Sequence, residues 1–600
     1  MSYDVVIHSG TYFDGTGAEP RQVDVGIRNG HVVEVGPQLD RSSAGTVIDA
    51  SGRWVMPGFI DNHTHYDAEL LLAPGLVESV RHGVTTVCVG SCSLSTIYSS
   101  TQDVADMFSR VEAVPRECVL QSLANKSWTT AAEYANHLDT LPLGPNVMAF
   151  IGHSDLRTSV MGLEAATESK VRPTRDQLAA METALEQALD AGFLGLSCMT
   201  NPWDKIGGDR VRSRPLPSTF ATWGEYRRLH AILRRREAIL QSAPNITTKV
   251  NALLYLIESA SFGFRKPLKT TLITVADTKA NPMLSATVLG GTGVFNGVFG
   301  GDLRWQSVPM PFEVYADGID LVIFEEFGAG EEALHLVDQI ERNTLFRDPA
   351  YRRRFRKDYD KRFGPRVWQR DFHDAQIVSA PDASLAGKSF GELADAKGEH
   401  PVDTFLDLVM EHGRALRWKT TIANHRPKVL HDIITHPAVQ VGFADSGAHL
   451  RNMAFYNFPL YFLRTMLRAE QAGQPLLPMG QAVHRVTGEI GDWLGIDAGH
   501  LRVGDRADLA IIDPAGLDDS LDDYHEAPVE VYGGLRRMVR RNDAAVTATL
   551  VGGELVYAEG DHVPGLGRER GYGQFLRRGM KTPARATRAG VAPSSMRAAV

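Results

Sequence analysis

Residues 54–67, Trp54-Val-Met-Pro-Gly-Phe-Ile-Asp-Asn-His-Thr-His-Tyr-Asp67, combine an apolar run with a polar, histidine-rich end. The run predicts a buried β-strand that leaves the core at its polar end. Residues two apart in a strand face the same side, so His63 and His65 can converge on one point. Neutral imidazoles arranged in this way suit Zn²⁺ or a related divalent cation. We expect a metal site here; the alternative is two surface histidines at the start of a loop.

From residue 58 onward, β-like and helical segments alternate. The predicted strands are Val84–Gly90, Val147–Gly152, Gly192–Ser197, Leu272–Ala276, Asp320–Phe324 and Val439–Phe443. The predicted helices are Thr174–Gly192, Trp223–Leu240, His400–His412 and Pro459–Ala472. Such alternation is typical of parallel βα units and predicts an α/β fold, either a barrel or an open doubly wound sheet.

Both ends of the chain are β-like instead. Asn29-Gly30 lies between two β-rich runs near the start, and Gly552-Gly553 lies between two such runs near the end. Dipeptides of this kind between apolar runs predict β-hairpins. We therefore expect the two ends to form one small β domain that the α/β domain interrupts.

Two regions are additional to the α/β domain and the β domain. Residues about 300–380 form an insertion, in which Asp348-Pro349 is typical of an N-cap followed by a first-turn proline. The basic helix that follows is interpreted as an inserted helix with a solvated basic face; the alternative is a role in binding nucleic acid or a membrane. The last 34 residues, 567–600, carry eight Lys or Arg against one Glu, which predicts a mobile tail or an arm that clasps another subunit.

Two further apolar runs end in polar residues. Gly83-Val-Thr-Thr-Val-Cys-Val-Gly-Ser-Cys92 places Cys92 at the end of its strand, where a cation would lower the pKa of the thiol. Val439-Gln-Val-Gly-Phe-Ala-Asp445-Ser-Gly-Ala-His449 places a carboxylate at a similar point. Asp445 could bind the metal and take a proton from metal-activated water. The alternatives are a packing role for Cys92 and a helix N-cap role for Asp445.

With these residues the chain resembles the metal-dependent amidohydrolase superfamily, and most closely its N-acyl-D-amino-acid deacylase (D-aminoacylase) branch. The resemblance extends to about residue 560. The motifs that carry it are Val47-Ile-Asp-Ala-Ser-Gly52, Pro57-Gly-Phe-Ile-Asp-Asn-His63-Thr-His65, Gly83-Val-Thr-Thr-Val with Cys92, Gly152-His153-Ser-Asp-Leu-Arg157 and Gly504-Asp-Arg-Ala-Asp-Leu-Ala-Ile-Ile-Asp513.

The resemblance implies a TIM-like (β/α)8 barrel with a composite β-sandwich made from both chain ends. The implied domains are 1–57 (sandwich, first part), 58–495 (barrel, with a lid at about 300–380), 496–566 (sandwich, second part) and 567–600 (tail).

The resemblance also implies roles for individual residues. It makes His63, His65, Cys92 and Asp445 ligands of Zn²⁺, with Asp445 as the general base. Lys279 occupies a place similar to that of a family lysine that binds the substrate carboxylate; the alternative is an ordinary surface lysine. Two more residues are implied to lie near the site, namely His153 and Arg157.

The sequence departs from the branch at two strand ends that normally supply histidines to a second metal. The first has Gln241 or Ser242 there, and the second has Asp277, which could still bind a cation through oxygen. Three outcomes stay open: one metal, an altered pair that uses Asp277, or a catalytically inactive relative. Other histidines that could replace the missing ligands are His230, His425 and His436.

Composition limits the classes of function. The 63 basic and 72 acidic residues give a net charge of −9, which argues against binding nucleic acid through phosphates. Four cysteines are too few for a disulfide framework, and no apolar run is long enough to span a membrane, which predicts a cytoplasmic protein. The expected partner is a small-molecule amide, with the C-terminal arm as the contact of a homo-oligomer.

We therefore expect a metal-dependent hydrolase that cleaves the amide C–N bond of N-acyl amino acids, with Asp445 as general base for metal-activated water. The alternatives are a cyclic amidohydrolase of the hydantoinase or dihydroorotase kind, and a non-catalytic barrel protein. The cyclic amidohydrolases usually carry a carboxylated lysine between two metals, and the sequence shows no confident candidate for it.

Overall fold

A computed structural model of the protein describes residues 2–42, 44–245, 247–361 and 363–582. The fold is mixed α/β, as predicted. Its strands are β1 (Val5–Tyr12), β2 (Arg21–Arg28), β3 (His31–Gly36), β4 (Thr46–Asp49), β5 (Trp54–Pro57), β6 (Phe59–Asp61), β7 (His63–Thr64), β8 (Val84–Val89), β9 (Asn146–Ala149), β10 (Ile151–Gly152), β11 (Gly195–Met199), β12 (Ile239–Ala243), β13 (Lys269–Leu272), β14 (Asp302–Gln306), β15 (Phe312–Asp317), β16 (Ala375–Ser379), β17 (Arg417–Ala423), β18 (Val439–Gln440), β19 (Phe443–Ser446), β20 (Leu509–Ile512), β21 (His525–Val529), β22 (Leu535–Val539), β23 (Val546–Val551), β24 (Glu554–Ala558) and β25 (Asp561–His562).

The helices lie mostly between strands of the middle part of the chain. They are α1 (Glu69–Leu72), α2 (Val77–Arg81), α3 (Thr101–Val111), α4 (Arg116–Ser122), α5 (Ala131–Thr140), α6 (His153–Met161), α7 (Leu163–Ala166), α8 (Arg175–Asp190), α9 (Trp223–Arg235), α10 (Lys249–Ser259), α11 (Leu284–Val298), α12 (Gly328–His335), α13 (Gln339–Arg347), α14 (Pro349–Tyr359), α15 (Phe390–Lys397), α16 (Pro401–His412), α17 (Pro427–Ile434), α18 (Phe458–Gln471), α19 (Met479–Val486) and α20 (Gly488–Leu494). Among the described residues, no helix is both long enough and apolar enough to cross a bilayer.

Parallel pairings connect the strands of the middle part in succession. The paired strands are β6–β8, β8–β9, β10–β11, β11–β12, β12–β13, β13–β14, β14–β18 and β19–β7. Only short breaks separate β6 from β7, β9 from β10, and β18 from β19. The last pairing is with β7, which follows β6 after one residue, and it brings the end of β7 beside β19.

A nine-stranded sheet joins the two ends of the chain. Its junction is the antiparallel pair β5–β20, in which Met56 lies opposite Ala510. Both predicted hairpins are present in it, because β2 pairs with β3 and β23 pairs with β24. β21 and β22 form a separate two-stranded ribbon, although they lie within the predicted second part of the β domain.

The insertion is a folded unit with its own core. Its antiparallel sheet has the order β15-β17-β16, and Phe324, Phe355, Phe405 and Trp418 pack in one buried cluster. The unit therefore extends to β17, beyond the predicted end near residue 380. The strand predicted at Asp320–Phe324 is wrong: Val322–Glu326 is a 3₁₀ helix inside this unit. Among the strands without a predicted counterpart is β14, whose polar residues between buried ones hide its apolar pattern.

The described part of the C-terminal tail lies against its own chain. Leu576 N donates to Val147 O over 2.8 Å, and Arg578 N donates to Gly192 O over 2.9 Å. Phe575 and Leu576 are both buried. The described part of the tail, which ends at Thr582, is therefore packed against the rest of the chain. Residues 583–600 lie outside the described part, so the arm between subunits stays a prediction.

Candidate metal centre

The two predicted histidines lie side by side at the end of the first parallel strand. His63 and His65 are buried, and their ring centroids are 5.3 Å apart. Nδ1 of His63 lies 2.8 Å from Oε1 of Gln306 at the end of β14, which directs Nε2 toward the other side chains of the site. Asp61 accepts hydrogen bonds from His63 N and Ala444 N, each over 3.3 Å, and so joins the end of β6 to β19.

Cys92 reaches the same point from the turn after β8. Gly90 has φ +79°, and a Cβ there would lie 2.1 Å from Phe150 O, so the turn requires glycine. Cys92 Sγ lies 3.4 Å from His63 Nε2. Ligand atoms of His63, His65 and Cys92 all lie within 4.8 Å of one another. The structure therefore brings together the three residues that the sequence had placed at two strand ends.

Asp445 lies beside this group. Its Oδ1 atom is 3.4 Å from His65 Nε2 and 3.7 Å from His63 Nε2. Asp445 has φ +57° and Cys92 has φ +51°, a left-handed conformation that is uncommon for residues other than glycine. Such strain is concentrated at functional sites, because the surrounding structure must hold it in place.

Besides Gln306, two residues of the site were not assigned from the sequence. Glu112 follows α3, and its Oε2 atom lies 3.4 Å from His65 Nε2. His449 Nε2 lies 3.7 Å from Asp445 Oδ2 and 3.9 Å from Glu112 Oε2. His449 follows the Asp445 strand end, which is a local signal. Glu112 has no such signal, since it follows a helix and not an apolar strand.

At the two strand ends where the resemblance expects histidines, the side chains of Gln241, Ser242 and Asp277 have hydrogen-bond or ion-pair partners. Gln241 Oε1 accepts a hydrogen bond from Cys92 N over 3.1 Å, so Gln241 supports the Cys92 turn. Ser242 Oγ lies 2.6 Å from Tyr255 Oη. Asp277 is fully buried and forms an ion pair with Arg426, whose Nε donates to Asp277 Oδ2 over 2.8 Å. Asp277 does not join the His63, His65 and Cys92 group, and its ligand role stays a prediction.

The residues expected near the substrate, Lys279, Arg157 and His153, each lie beside an acidic side chain. Lys279 Nζ pairs with Asp374 of the insertion. Arg157 is completely buried, and its Nε donates to Glu225 Oε1 over 3.0 Å. The same oxygen lies 3.2 Å from His153 Nε2.

The surroundings of the site shift the pKa values of the two histidines in opposite directions. Burial lowers the pKa of His63 to about 3. Burial also acts to lower the pKa of His65, but the Glu112 and Asp445 carboxylates outweigh it and hold that pKa well above its usual value. For Asp445, burial acts to raise the pKa, but the His65, His449 and His63 imidazoles hold it below its usual value. Burial raises the pKa of the Cys92 thiol to about 12.

The residues present fit a divalent cation. Two imidazoles, a thiol and a carboxylate are the side chains that bind Zn²⁺ in proteins. A bound cation would reverse the effect of burial on Cys92, because coordination deprotonates a thiol. In the described part of the chain, the ion pairs of Asp445 and Glu112 are formed with histidines alone. The two carboxylates therefore lack the Lys or Arg partner that buried acidic groups usually have.

The chain is similar to several known proteins. The family model described as "Amidohydrolase family" matches residues 46–198, which include His63, His65 and Cys92. An uncharacterized protein of Mycobacterium tuberculosis is 55% identical over 96% of this chain and 95% of its own length. D-aminoacylase of Alcaligenes xylosoxydans xylosoxydans is 32% identical over 32% of this chain and 37% of its own. The chain is therefore similar to the amidohydrolase family in residues 46–198.

A solved deacylase structure shares the fold. N-acyl-D-glutamate deacylase from Bordetella bronchiseptica, in complex with zinc and a phosphonate inhibitor, has a TM-score of 0.62 and 21% identity, covering 96% of this chain and all of that one. At this identity the likeness concerns the fold alone. The sequence-based resemblance to N-acyl-D-amino-acid deacylases within the amidohydrolase superfamily is confirmed.

We predict that Gln306→Leu weakens Zn²⁺ binding by about 10- to 100-fold, the usual effect of losing a partner that orients a ligand histidine. The variant removes the acceptor that fixes the His63 ring. A competition titration with a chromophoric chelator measures the affinity. Gln471→Leu changes an exposed glutamine at the end of α18 and is the matched control. Equal affinities for Gln306→Leu and the control would show that Gln306 does not orient the ring.

Proposed function

We propose that the protein is a zinc-dependent hydrolase that cleaves the amide C–N bond of N-acyl amino acids, with N-acyl-D-amino acids as the first candidates. The observation that carries this proposal is the group His63, His65 and Cys92 with Asp445 Oδ1 3.4–3.7 Å from both imidazoles. The deacylase names of the similar proteins support this substrate class.

We interpret the closed succession of parallel pairings as a TIM-like (β/α)8 barrel, and the sheet from both chain ends as the β-sandwich that the resemblance implies. In such barrels the chemistry takes place at the C-terminal ends of the strands. His63, Cys92, Asp445 and Gln306 all occupy such ends. The boundaries at residues 57, 495 and 566 stay predictions.

A bound Zn²⁺ would supply Lewis-acid chemistry, since it polarises an amide carbonyl and lowers the pKa of water. His63, His65, Cys92 and Asp445 would hold it. Asp445 is kept ionised by the surrounding imidazoles, so it can accept a proton from attacking water at a carboxylate oxygen. It can then pass this proton to the leaving amine nitrogen. Asp445 and His449 retain about a tenth of their side-chain exposure, which makes theirs the open side of the site.

For the substrate carboxylate, the geometry favours Lys279 over Arg157. Lys279 keeps 20% of its side-chain exposure and contacts the insertion through Asp374, whereas Arg157 is completely buried against Glu225. Lys279 would exchange Asp374 for the substrate carboxylate. The insertion would thereby respond to substrate as the lid that the resemblance implies.

Metal analysis of the purified protein, combined with a panel of N-acyl-D- and N-acyl-L-amino acids and cyclic amides such as hydantoins, tests the proposal. We expect at least about one Zn²⁺ per chain, chelator-sensitive release of the amino acid, and loss of both in His63→Ala. Turnover of cyclic amides alone would favour the cyclic amidohydrolase alternative. A folded wild-type protein with neither metal nor turnover would indicate a non-catalytic relative. The cytoplasmic location stays a prediction.

A further inference from the structure

The surface that α10 and α11 present to solvent is rich in apolar side chains. Half of the exposed large apolar side chains in the described residues lie between residues 250 and 299. Four of these, Val250, Phe264, Met283 and Val298, keep 61–79% of their exposure. Surface helices of globular proteins normally present charged or polar residues to solvent. From residue 280 to residue 301, by contrast, the sequence contains no Asp, Glu, Lys or Arg.

The two helices form one continuous surface. α10 connects β12 to β13 and α11 connects β13 to β14, so the helices run side by side in the same direction. A Cβ at Gly291 would lie 3.6 Å from Leu256 Cδ1, which places α11 against α10. At the ends of the helices, the ring of Phe262 lies 5.5 Å from that of Phe299 and 6.1 Å from that of Phe264. We call this surface, formed by residues 250–264 and 283–299, the α10–α11 face.

Three glycines of α11 are not explained by packing within the chain. Gly290, Gly293 and Gly297 are spaced so that they lie on one side of the helix. None of them has a positive φ, and a Cβ at any of them would meet no atom within 4 Å. Glycine is less favourable than alanine inside a helix, and neither the conformation nor the packing of the described chain requires it here. What glycines at such positions permit is the close approach of another backbone to α11.

The absence of charge on α11 favours a second copy of this chain as the partner. In a two-fold contact, a residue near the axis faces its own counterpart, so a charged residue there would repel itself. The uncharged stretch from residue 280 to residue 301 meets this requirement. Residues 583–600 of the same chain suit the face less well, because they carry three Arg and α11 offers no carboxylate to pair with them. A membrane surface also suits it less well, because helices that lie on membranes are rich in Lys and Arg, and α11 has neither.

The size of the α10–α11 face corresponds to a weak interface. A helix of 15 residues, such as α11, is about 22 Å long, and two neighbouring helices with their side chains are about 20 Å wide. The outline of the face is therefore roughly 450 Å² per copy, and two copies would bury about 1,000 Å², the lower limit of a specific interface. Contacts of this size are usually transient, so we expect micromolar affinity.

We propose that the protein forms a two-fold dimer in which the α10–α11 faces of two copies pack together, with the glycine side of α11 at the closest approach. Val294 and Val298 are exposed beside these glycines and would be buried by the second copy. The dimer goes beyond the proposed function and does not depend on it, because the face contains none of the residues of the metal centre.

Sedimentation equilibrium of the full-length protein over a micromolar concentration range tests the dimer. Gly293→Leu adds a side chain at the closest approach and should raise the dissociation constant by at least about 10-fold, the effect of overpacking a tight contact. Val298→Asp places like charges near the axis and should also weaken the dimer. Val503→Asp puts the same charge at an exposed valine outside the face and is the matched control, which should dimerise as wild type does. Circular dichroism spectra establish that the variants are folded.

Hydrogen exchange locates the contact on the chain. The protection of the α11 amides should rise with protein concentration in wild type and should not do so in Gly293→Leu. Wild type that stays monomeric throughout the range overturns the proposal, and so does a dimer that both Gly293→Leu and Val298→Asp leave unchanged. A monomeric wild type that cosediments with phosphatidylcholine vesicles, when Val298→Asp does not, would assign the face to a lipid surface instead.

Discussion

Replacing Asp445 by Asn is expected to lower kcat/KM for amide hydrolysis by about 10²- to 10⁴-fold, the range for losing a general base. The amide keeps the size and the hydrogen-bonding shape of the side chain but cannot accept the proton of attacking water. The three imidazoles of His63, His65 and His449 hold the pKa of Asp445 low in the folded protein, so the native carboxylate is ionised at neutral pH. Initial rates on the best N-acyl-amino-acid substrate measure the effect.

Asp432→Asn is the matched control, because it makes the same chemical change at an exposed position on α17. It should keep wild-type turnover. An Asp445→Asn protein with wild-type turnover would remove Asp445 from the role of base. If Asp445→Asn loses Zn²⁺ as well as turnover, supplementation with excess Zn²⁺ separates the two roles: turnover that returns with the metal would show that Asp445 is a ligand only.

The sequence predicts the centre of the site because its residues follow apolar strands directly. His63, His65, Cys92 and Asp445 each end a run whose period and composition indicate a buried strand. Parallel strands place such ends at one edge, so their proximity follows from local pattern and fold class. At Gln241 the sequence shows only that an expected histidine is missing. In the structure, the amide oxygen of Gln241 accepts a hydrogen bond from the backbone of the Cys92 turn.

Residues that meet the site only through tertiary packing were not predictable in this way. Glu112 lies at the end of a helix, and nothing in its neighbours distinguishes it from a surface carboxylate. The same limit explains the errors in the fold. β14 alternates polar and buried residues, so its pattern resembles an exposed strand, and the apolar run at Asp320–Phe324 packs in the core of the insertion instead.

The β21–β22 ribbon is another feature that the sequence did not indicate, and a buried ion pair connects it to α1. Arg537 of β22 donates through Nη1 to both carboxylate oxygens of Glu69 in α1, each over 2.9 Å. Both side chains are buried, and the guanidinium also lies 5.7 Å from the centre of the Tyr456 ring. Removing one partner would leave the other charge buried and uncompensated.

Arg537→Met is therefore expected to lower the opening free energy of the β21–β22 ribbon by about 3–5 kcal/mol, the cost of breaking a buried pair. Native-state hydrogen exchange of the ribbon amides measures this locally, without requiring two-state unfolding of a large chain. Arg536→Met is the matched control: Arg536 is the exposed neighbour and pairs with Glu526 over 3.3 Å, a surface pair that contributes about 0–1 kcal/mol.

The double variant Glu69→Leu with Arg537→Met distinguishes a charge effect from a packing effect. Replacing both charges by apolar groups is often neutral or stabilising, so most of the lost protection should return. Protection that stays low in the double variant would attribute the loss to packing around Tyr456. The ribbon also reaches the site, because Met538 N donates to Leu450 O over 2.7 Å, directly after His449. Arg537→Met should therefore also reduce protection of the His449 loop, whereas Arg536→Met should leave it unchanged.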